Sequence, residues 1–372
     1  MRRLRWPGLF LAPAVLLVLS AQAGASNPHA NRFKKTAAPV WTLAMDWPNV
    51  AYASGGKIRV WNVATGATSV IRGKYVYAKP GVNDVADDLA ISGKRVGWIN
   101  RQWVGNTEAG EKLYTASLAG KAHLLERAYR YGRDDLTETT GGWIAGLVGT
   151  GRTLAVSTWK TSKGVPSAED LSVLTPAGLC PIVSGPGAIV AESADSGHIA
   201  VLRSTVAWPD DYDLPIGPAP TAGIYSTAGA LLGEIALGPP DPDTFGIQIA
   251  LAGNHLVVLK TALHQPSGPT TVTLQVYDWT TGALVVTWPV AIPQYAGELR
   301  LAAYGQFAAV EGPYRLHVVD LTTGKDVLTA PASRTDSPAA IGPHGLVYAT
   351  RTTYNGPGRL TFVPMARLLR YP

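Results

Sequence analysis

The chain repeats short apolar runs of four to six residues separated by turns that carry glycine. One recurring unit is a β-type run closed by a Gly turn: KIRVWNVATG, KLYTASLAG, LSVLTPAG, GIYSTAG, TLQVYDWTTG and RLHVVDLTTG. The turn glycines Gly66, Gly120, Gly178, Gly229, Gly282 and Gly324 are separated by 54, 58, 51, 53 and 42 residues. Another apolar run follows each turn, which predicts a hairpin with Gly supplying the positive φ. A second unit, upstream of each, reads apolar run, turn, apolar run: DLAISGKRVGWI, GLVGTGRTLAVST, AESADSGHIAVLR, IALAGNHLVVLK, LRLAAYGQFAAVE and AAIGPHGLVYAT. TLAMDWPNVAYAS is a looser first copy, and the second strands begin near Val50, Val96, Leu154, Ile199, Leu256, Phe307 and Leu346. Beyond residue 25, no 12-residue stretch free of Gly and Pro shows a helical period.

Four-stranded units at this spacing predict an all-β fold, a single-domain β-propeller. One blade cannot bury both its faces alone, so the units must stack, and a closed ring leaves no terminal unit exposed. The expected count is seven four-stranded blades over residues 37–372, with six and eight as the neighbouring counts; a β-helix would need shorter rungs. The final unit, RLTFVPMARLLRY, lacks the Gly turn, so either terminus could supply the closing strand.

Composition supports a large core: 46% of residues are hydrophobic and 16% charged, while 40 Gly and 28 Pro argue against a helix bundle. The net charge of +6 first suggests a polyanion partner. Residues 1–36, however, hold six basic side chains (Arg2, Arg3, Arg5, Arg32, Lys34, Lys35) and no acidic one, leaving 26 of each sign in the rest. No nucleic-acid partner is therefore expected. The arginines precede an apolar stretch at residues 9–19 and small residues at Ala21, Ala23 and Ala25. This is the layout of a signal peptide over residues 1–25, cleaved after Ala23 or Ala25. Its apolar core is far shorter than the roughly 20 residues of a membrane span, though an uncleaved anchor is the alternative. The protein is thus expected to be secreted or in the cell envelope, with residues 26–36 as a polar basic tail. Cys180 is the only cysteine, which excludes an intramolecular disulfide, and its run LCPIV predicts a buried thiol.

Certain motifs resemble known families. SADSGHIAV (193–201) resembles the strand-turn-strand signature of TolB-like repeats, and VYDWTTG and VVDLTTG resemble repeats of WD40-like and quinoprotein-like propellers. The first unit, VWNVATG, has Asn62 where the later two have Asp278 and Asp320. The resemblance, to bacterial propellers of this exported kind, implies the fold and leaves the activity open. Quinoprotein chemistry is not expected. Its vicinal cysteine pair cannot form, and Trp288 comes six residues after Gly282 rather than four.

In a blade with strands A to D from the axis outward, B–C and D–A connections share one side. Those of several units are long: NRQWVGNTEAGEK, KTSKGVPSAED, STVAWPDDYDLPIGPAPT, ALHQPSGPTT, KYVYAKPGVND and RAYRYGRDDLTETTGGW. The A–B and C–D turns opposite are short, so binding is expected on the elaborated side. Its aromatic and acidic residues could stack on sugars or anchor a peptide. The candidate ligand-binding residues are Trp103, Tyr131, Asp134, Asp135, Trp159, Trp208, Asp210, Asp211 and Tyr212, with WPDDYD (208–213) foremost. Packing between blades and turn capping is the competing role for each.

GxSxG, GxxxxGK[ST] and HExxH are absent, and the seven histidines lack ligand spacing. His198, His255 and His344 recur in A–B turns, which predicts a turn role. No catalytic residue, metal or cofactor is expected. The reading is a non-catalytic, monomeric binding or scaffold protein for a protein, peptide or glycan. The alternative is a carbohydrate-active hydrolase or lyase using Asp135 and Asp211 near the axis.

Overall fold

The computed structural model describes residues 30–72, 83–103, 109–131, 140–162, 165–195, 197–204, 220–237, 244–263, 270–292, 299–312, 315–331, 338–351, 353 and 356–370. The expected signal peptide, residues 1–25, lies outside them. The strands fall into consecutive groups. β1 (Arg32–Thr36) comes first, then β2 (Val40–Asp46), β3 (Asn49–Ser54), β4 (Lys57–Asn62) and β5 (Thr68–Val70). The second group is β6 (Asn83–Ser92), β7 (Arg95–Trp103), β8 (Ala109–Ser117) and β9 (His123–Tyr131). The third is β10 (Thr140–Thr150), β11 (Thr153–Ser162), β12 (Val165–Thr175) and β13 (Gly178–Gly185). The fourth is β14 (Ala188–Asp195), β15 (His198–Ser204), β16 (Thr221–Ser226) and β17 (Leu231–Ala236). The fifth is β18 (Thr244–Ala252), β19 (His255–Leu263), β20 (Thr270–Asp278) and β21 (Ala283–Val290). The sixth is β22 (Arg300–Tyr304), β23 (Phe307–Gly312), β24 (Arg315–Asp320) and β25 (Lys325–Pro331). The last is β26 (Ala339–Gly342), β27 (Gly345–Arg351) and β28 (Gly358–Pro364), followed by one helical turn, α1 (Met365–Leu368).

Each group is an antiparallel meander, and β1 supplies the fourth strand of the last sheet by pairing with β28. The second and third groups join into one eight-stranded sheet, because β9 and β10 pair at Tyr131↔Thr140 and Arg130↔Gly141. The first strands pack side by side in the order β2, β6, β10, β14, β18, β22, β26, and β26 meets β2 again. The described strands thus make seven four-stranded units around a closed ring. Its core lies between neighbouring sheets: Trp98, Ile91 and Val96 of the second unit pack with Ala51, Ile58 and Val60 of the first.

The repeated motifs turn out to be turn clasps. Asp278 accepts hydrogen bonds from the Thr280 amide and hydroxyl (2.9 and 2.6 Å), and Asp320 does the same with Thr322 (2.8 and 2.7 Å). Asn62 replaces them without loss of the function, since its side-chain oxygen accepts from the Thr65 amide at 2.9 Å. Five of the six predicted turn glycines have positive φ; Gly120 does not, and its N–H bonds to the Ser117 carbonyl at 2.9 Å. At Gly324 only glycine fits. Its φ is +71°, and a Cβ would lie 2.4 Å from the Trp288 ring of the preceding unit. That indole also donates to the Leu321 carbonyl at 2.8 Å.

The A–B turns carry the contacts from unit to unit. Asp46 accepts the Gly93 N–H (2.5 Å), Asp195 the Gly253 N–H (2.8 Å) and Ser193 Oγ the Leu251 N–H (2.9 Å). SADSGH is therefore a clasp on the next unit. His344 stacks on Trp47 across the ring closure at 4.7 Å, and His198 tilts against Trp279 at 5.3 Å. The turn role expected of these two histidines is a packing role between units.

Two sequence expectations need correction. Residues Arg32–Thr36, placed in a polar tail, are strand β1, because their alternation gives the sheet one buried threonine and solvent two residues, Phe33 and Lys35. Cys180 is exposed rather than buried. It sits on β13, the outer strand of its unit, where side chains turned away from the neighbouring sheet meet water.

Candidate functional site

On the side of the B–C and D–A connections, several strands run farther than the turn signals predicted. β7 continues to Trp103 and β8 starts at Ala109; β11 continues to Ser162 and β12 starts at Val165. Much of NRQWVGNTEAGEK and KTSKGVPSAED is therefore ladder, not loop. Glu111, Arg101, Arg130, Trp143 and Trp159 gather where these hairpins meet the junction of β9 and β10. Glu111 is fully buried, and its Oε1 accepts from Arg101 Nε (2.7 Å) and Arg130 Nη1 (2.6 Å). Its Oε2 accepts the Ile144 N–H of the next unit at 2.5 Å. The Arg130 guanidinium lies 3.3 Å from the centre of the Trp143 ring, which stacks on Trp159 at 4.8 Å with 2° between planes. Cation–π attraction and the ion pair thus hold one buried arginine from two sides.

The row continues into the fourth unit. Glu169, the cross-strand partner of Trp159, accepts from Arg203 Nε, and Arg203 Nη1 donates to the Tyr225 hydroxyl at 2.5 Å. Burial raises the Glu169 carboxyl above its ordinary value, with the Arg203 hydrogen bond and charge opposing it. Burial also works against the Arg203 charge, but Glu169 and Tyr225 outweigh it and raise the guanidinium's value.

Closer to the axis lies a second polar group. In five of the seven inner strands the ladder to the next strand slips by one residue near its start: Val40/Thr42, Ala86/Asp88, Ile144/Gly146, Ile189/Ala191 and Thr244/Gly246. Such a bulge re-aims the side chains that follow it. Asp88 of β6 and Gly146 of β10 occupy equivalent positions just after it. Glu192 of β14 lays its carboxyl over Gly146, where a Cβ would come within 2.7 Å of Glu192 Cδ. Both Glu192 carboxyl oxygens are buried, and so is the hydroxyl of Ser157, a fully buried residue of β11. Burial pushes the Glu192 carboxyl up to about 8; hydrogen bonding with Ser157 acts to lower it and the like charge of Asp88 to raise it.

The sequence-predicted residues divide among these places. Trp159 is 5% exposed and its ring is held in the Trp143 stack, so it packs within the ring. Trp103 ends β7, paired with Asn83 and Ala109, and Tyr131 ends β9, paired with Thr140. Asp134, Asp135, Trp208, Asp210, Asp211 and Tyr212 lie outside the described residues. Glu111, Arg130, Arg203, Ser157, Asp88 and Glu192 were missed. The available signal was a charged residue inside an apolar inner strand, as in IVAESAD. Among the described residues no three or more His, Cys, Asp or Glu come together as a metal-binding group, and no helix is long and apolar enough to cross a membrane.

The fold has clear structural relatives. Hydrazine synthase of Kuenenia stuttgartiensis superposes with a TM-score of 0.54 at 10% identity, covering 85% of this chain and 94% of that one. The β-propeller domain of Myceliophteria thermophila Cps50 (Swd1) superposes at 0.51 with 11% identity, covering 90% and 100%. This chain is a β-propeller. A propeller chain of the mitotic checkpoint complex gives 0.51 with 12% identity over 98% and 99%. At these identities the propeller likeness concerns the fold alone. No protein-family model matches the chain, and no curated protein matches it in sequence.

Proposed function

We propose that this propeller is an exported binding scaffold that takes a protein, peptide or glycan on the side bearing its B–C and D–A connections. The observation that carries the reading is the asymmetry of the ring. One side ends in tight turns, held by the preceding unit at Gly93 and Gly253 and clasped within themselves before Gly282 and Gly324. The other carries ladders that outrun the turn signals, with blades two and three welded into one sheet. A rigid base beneath variable connections is the usual construction of a recognition surface. The propeller in the mitotic checkpoint complex is likewise part of an assembly.

The test compares two variants for partners found by pull-down and glycan array with the wild type. One replaces residues 104–108 and 205–219 by short Gly-Ser linkers; the other carries Lys94→Glu and Arg152→Glu on exposed turn-side positions. Binding should fall at least about tenfold in the first and stay unchanged in the second, an effect of more than 1.4 kcal/mol. The opposite ranking would place recognition on the turn side. Export is tested separately by intact mass: protein from the medium should lack the first 23 or 25 residues, and full-length protein there would count against cleavage.

A further inference from the structure

We propose that the Glu192 carboxyl is a proton-operated latch between blades three and four, seated while it carries a proton and released when it ionises. The seat is a matter of geometry. Gly146 of β10 and Ser157 of β11 are direct cross-strand partners, so both present the same face of blade three at one level. Glu192 reaches over from β14 of blade four and lays its carboxyl on Gly146, where a Cβ would come within 2.7 Å of both Cδ and Oε1. Glycine at residue 146 is therefore a condition of the carboxyl's position. The Ser157 hydroxyl beside it is hydrogen-bonded with that carboxyl. Both carboxyl oxygens and the hydroxyl are shut off from water.

Among the described residues, no cation stands at this seat. β14 packs against β10, β11, β12, β15 and β18. β10 and β18 carry no charged residue, and the one charge on β11, Lys160, is exposed. On β12, Glu169 is paired with Arg203 of β15, and Asp170 accepts from the Ser184 hydroxyl. His198, which opens β15, lies against Trp279, and Asp195 of β14 itself accepts the Gly253 N–H. The charge that acts on Glu192 is Asp88 of β6, which is of like sign. A carboxylate buried without a cation is far costlier than a carboxylic acid, so the seated form is neutral. Ionisation calls for water, and the carboxyl reaches water by leaving Gly146, which loosens β14 against β10. The window follows from burial, which lifts the carboxyl from its ordinary 4.5 to about 8. Between these values the folded chain holds a proton that the unfolded chain has released. The latch thus contributes fully below pH 4.5 and fades as the pH rises to about 8.

The experiment follows the full-length protein from mildly acid to mildly alkaline pH by infrared spectroscopy and hydrogen exchange, beside Glu192→Gln, which keeps a neutral group of the same shape. The wild type should show a protonated-carboxyl C=O component in mild acid that fades with a midpoint of about 8 and is missing from Glu192→Gln. Over the same range, exchange of the β10 and β14 amides, corrected for its intrinsic pH dependence, should speed up at least about tenfold in the wild type relative to Glu192→Gln. One bound proton is worth up to about tenfold per pH unit. The β22 and β23 amides, two blades away, should behave alike in both proteins. Ser157→Ala removes the hydrogen bond that favours the charged form, so its carboxyl component should persist to higher pH, and this decides the matter should Glu192→Gln fail to fold. Absence of the component from the wild type, its full retention in Glu192→Gln, equal pH dependence of β10 and β14 exchange in the two proteins, or an unchanged or lowered midpoint in Ser157→Ala would overturn the proposal.

Discussion

Glu111→Ala should destabilise the propeller by about 3–5 kcal/mol, the usual cost of removing one partner from a buried ion pair. Glu111 and Arg130 are 1% exposed, and one carboxylate serves Arg101, Arg130 and the Ile144 N–H together. Truncation would leave a buried guanidinium without its counter-charge and a buried amide without an acceptor, each costly in a low-dielectric interior. The pair itself need not be net stabilising, because desolvating both ions offsets much of their attraction. Its value is geometric: it ties a hairpin of blade two to the inner strand of blade three where their sheets join. The double variant Glu111→Leu/Arg130→Met should therefore recover most of the loss, leaving a coupling energy of more than about 1.5 kcal/mol. Urea unfolding of the wild type, both single variants and the double variant measures this cycle. A Glu111→Ala loss below about 1 kcal/mol, or additive single effects, would show that the cluster is not a coupled unit.

The sequence foretold what depends on local chemistry. The seven second strands begin within one residue of their expected starts, at Asn49, Arg95, Thr153, His198, His255, Phe307 and Gly345. Apolar alternation broken by glycine is a strong signal, and left-handed backbone admits few other residues. DWTTG and DLTTG were legible as turns because an Asp or Asn oxygen and the threonines two or three residues on form the turn by themselves. Loop lengths were overestimated where polar residues occupy strands. KTSKGVPSAED reads as a connection, yet Trp159 and Glu169 pair across β11 and β12. Their side chains are satisfied by a stacked ring and by Arg203, partners that come from other strands and leave no mark on local pattern.

The candidate sites were illegible for a related reason. A β-bulge adds one residue and breaks the period of two, so the alternation that places a side chain inside or outside fails there. Asp88 and Gly146 each follow such a slip. Glu192 stands out in AESAD as a charge in an inner strand, but its contact with Gly146 spans 46 residues and two blades. Trp159 was selected for its aromatic face, which the Trp143 ring covers. Bulky aromatics near a rim serve packing and binding equally well, and only the tertiary neighbour decides between them.

Removing β1 should have the second large effect. A chain starting at residue 37, where composition first set the edge of the propeller, should unfold at lower urea by about 2–4 kcal/mol and self-associate. A chain starting at residue 30 should match the full protein. β1 pairs with β28 over five residues, from Arg32↔Phe362 to Thr36↔Gly358. Arg32 Nη1 also donates to the Val63 and Ala64 carbonyls (2.5 and 3.0 Å), linking the last blade to the first. The Arg359 guanidinium lies over the half-exposed Phe33 ring at 3.8 Å. Without the strand, β28, with the buried Leu360 and Phe362, becomes an open edge. Losing about five ladder hydrogen bonds and the Arg32 contacts is offset by the conformational entropy of five freed residues, which keeps the net effect to a few kcal/mol. An unpaired edge strand is also a template for pairing with a second chain, so the truncated protein should sediment as oligomers while the longer one stays monomeric. Equal urea midpoints and equal sedimentation would mean that the ring closes through its apolar interfaces, such as the Trp47–His344 stack, and needs no fourth strand in its last blade.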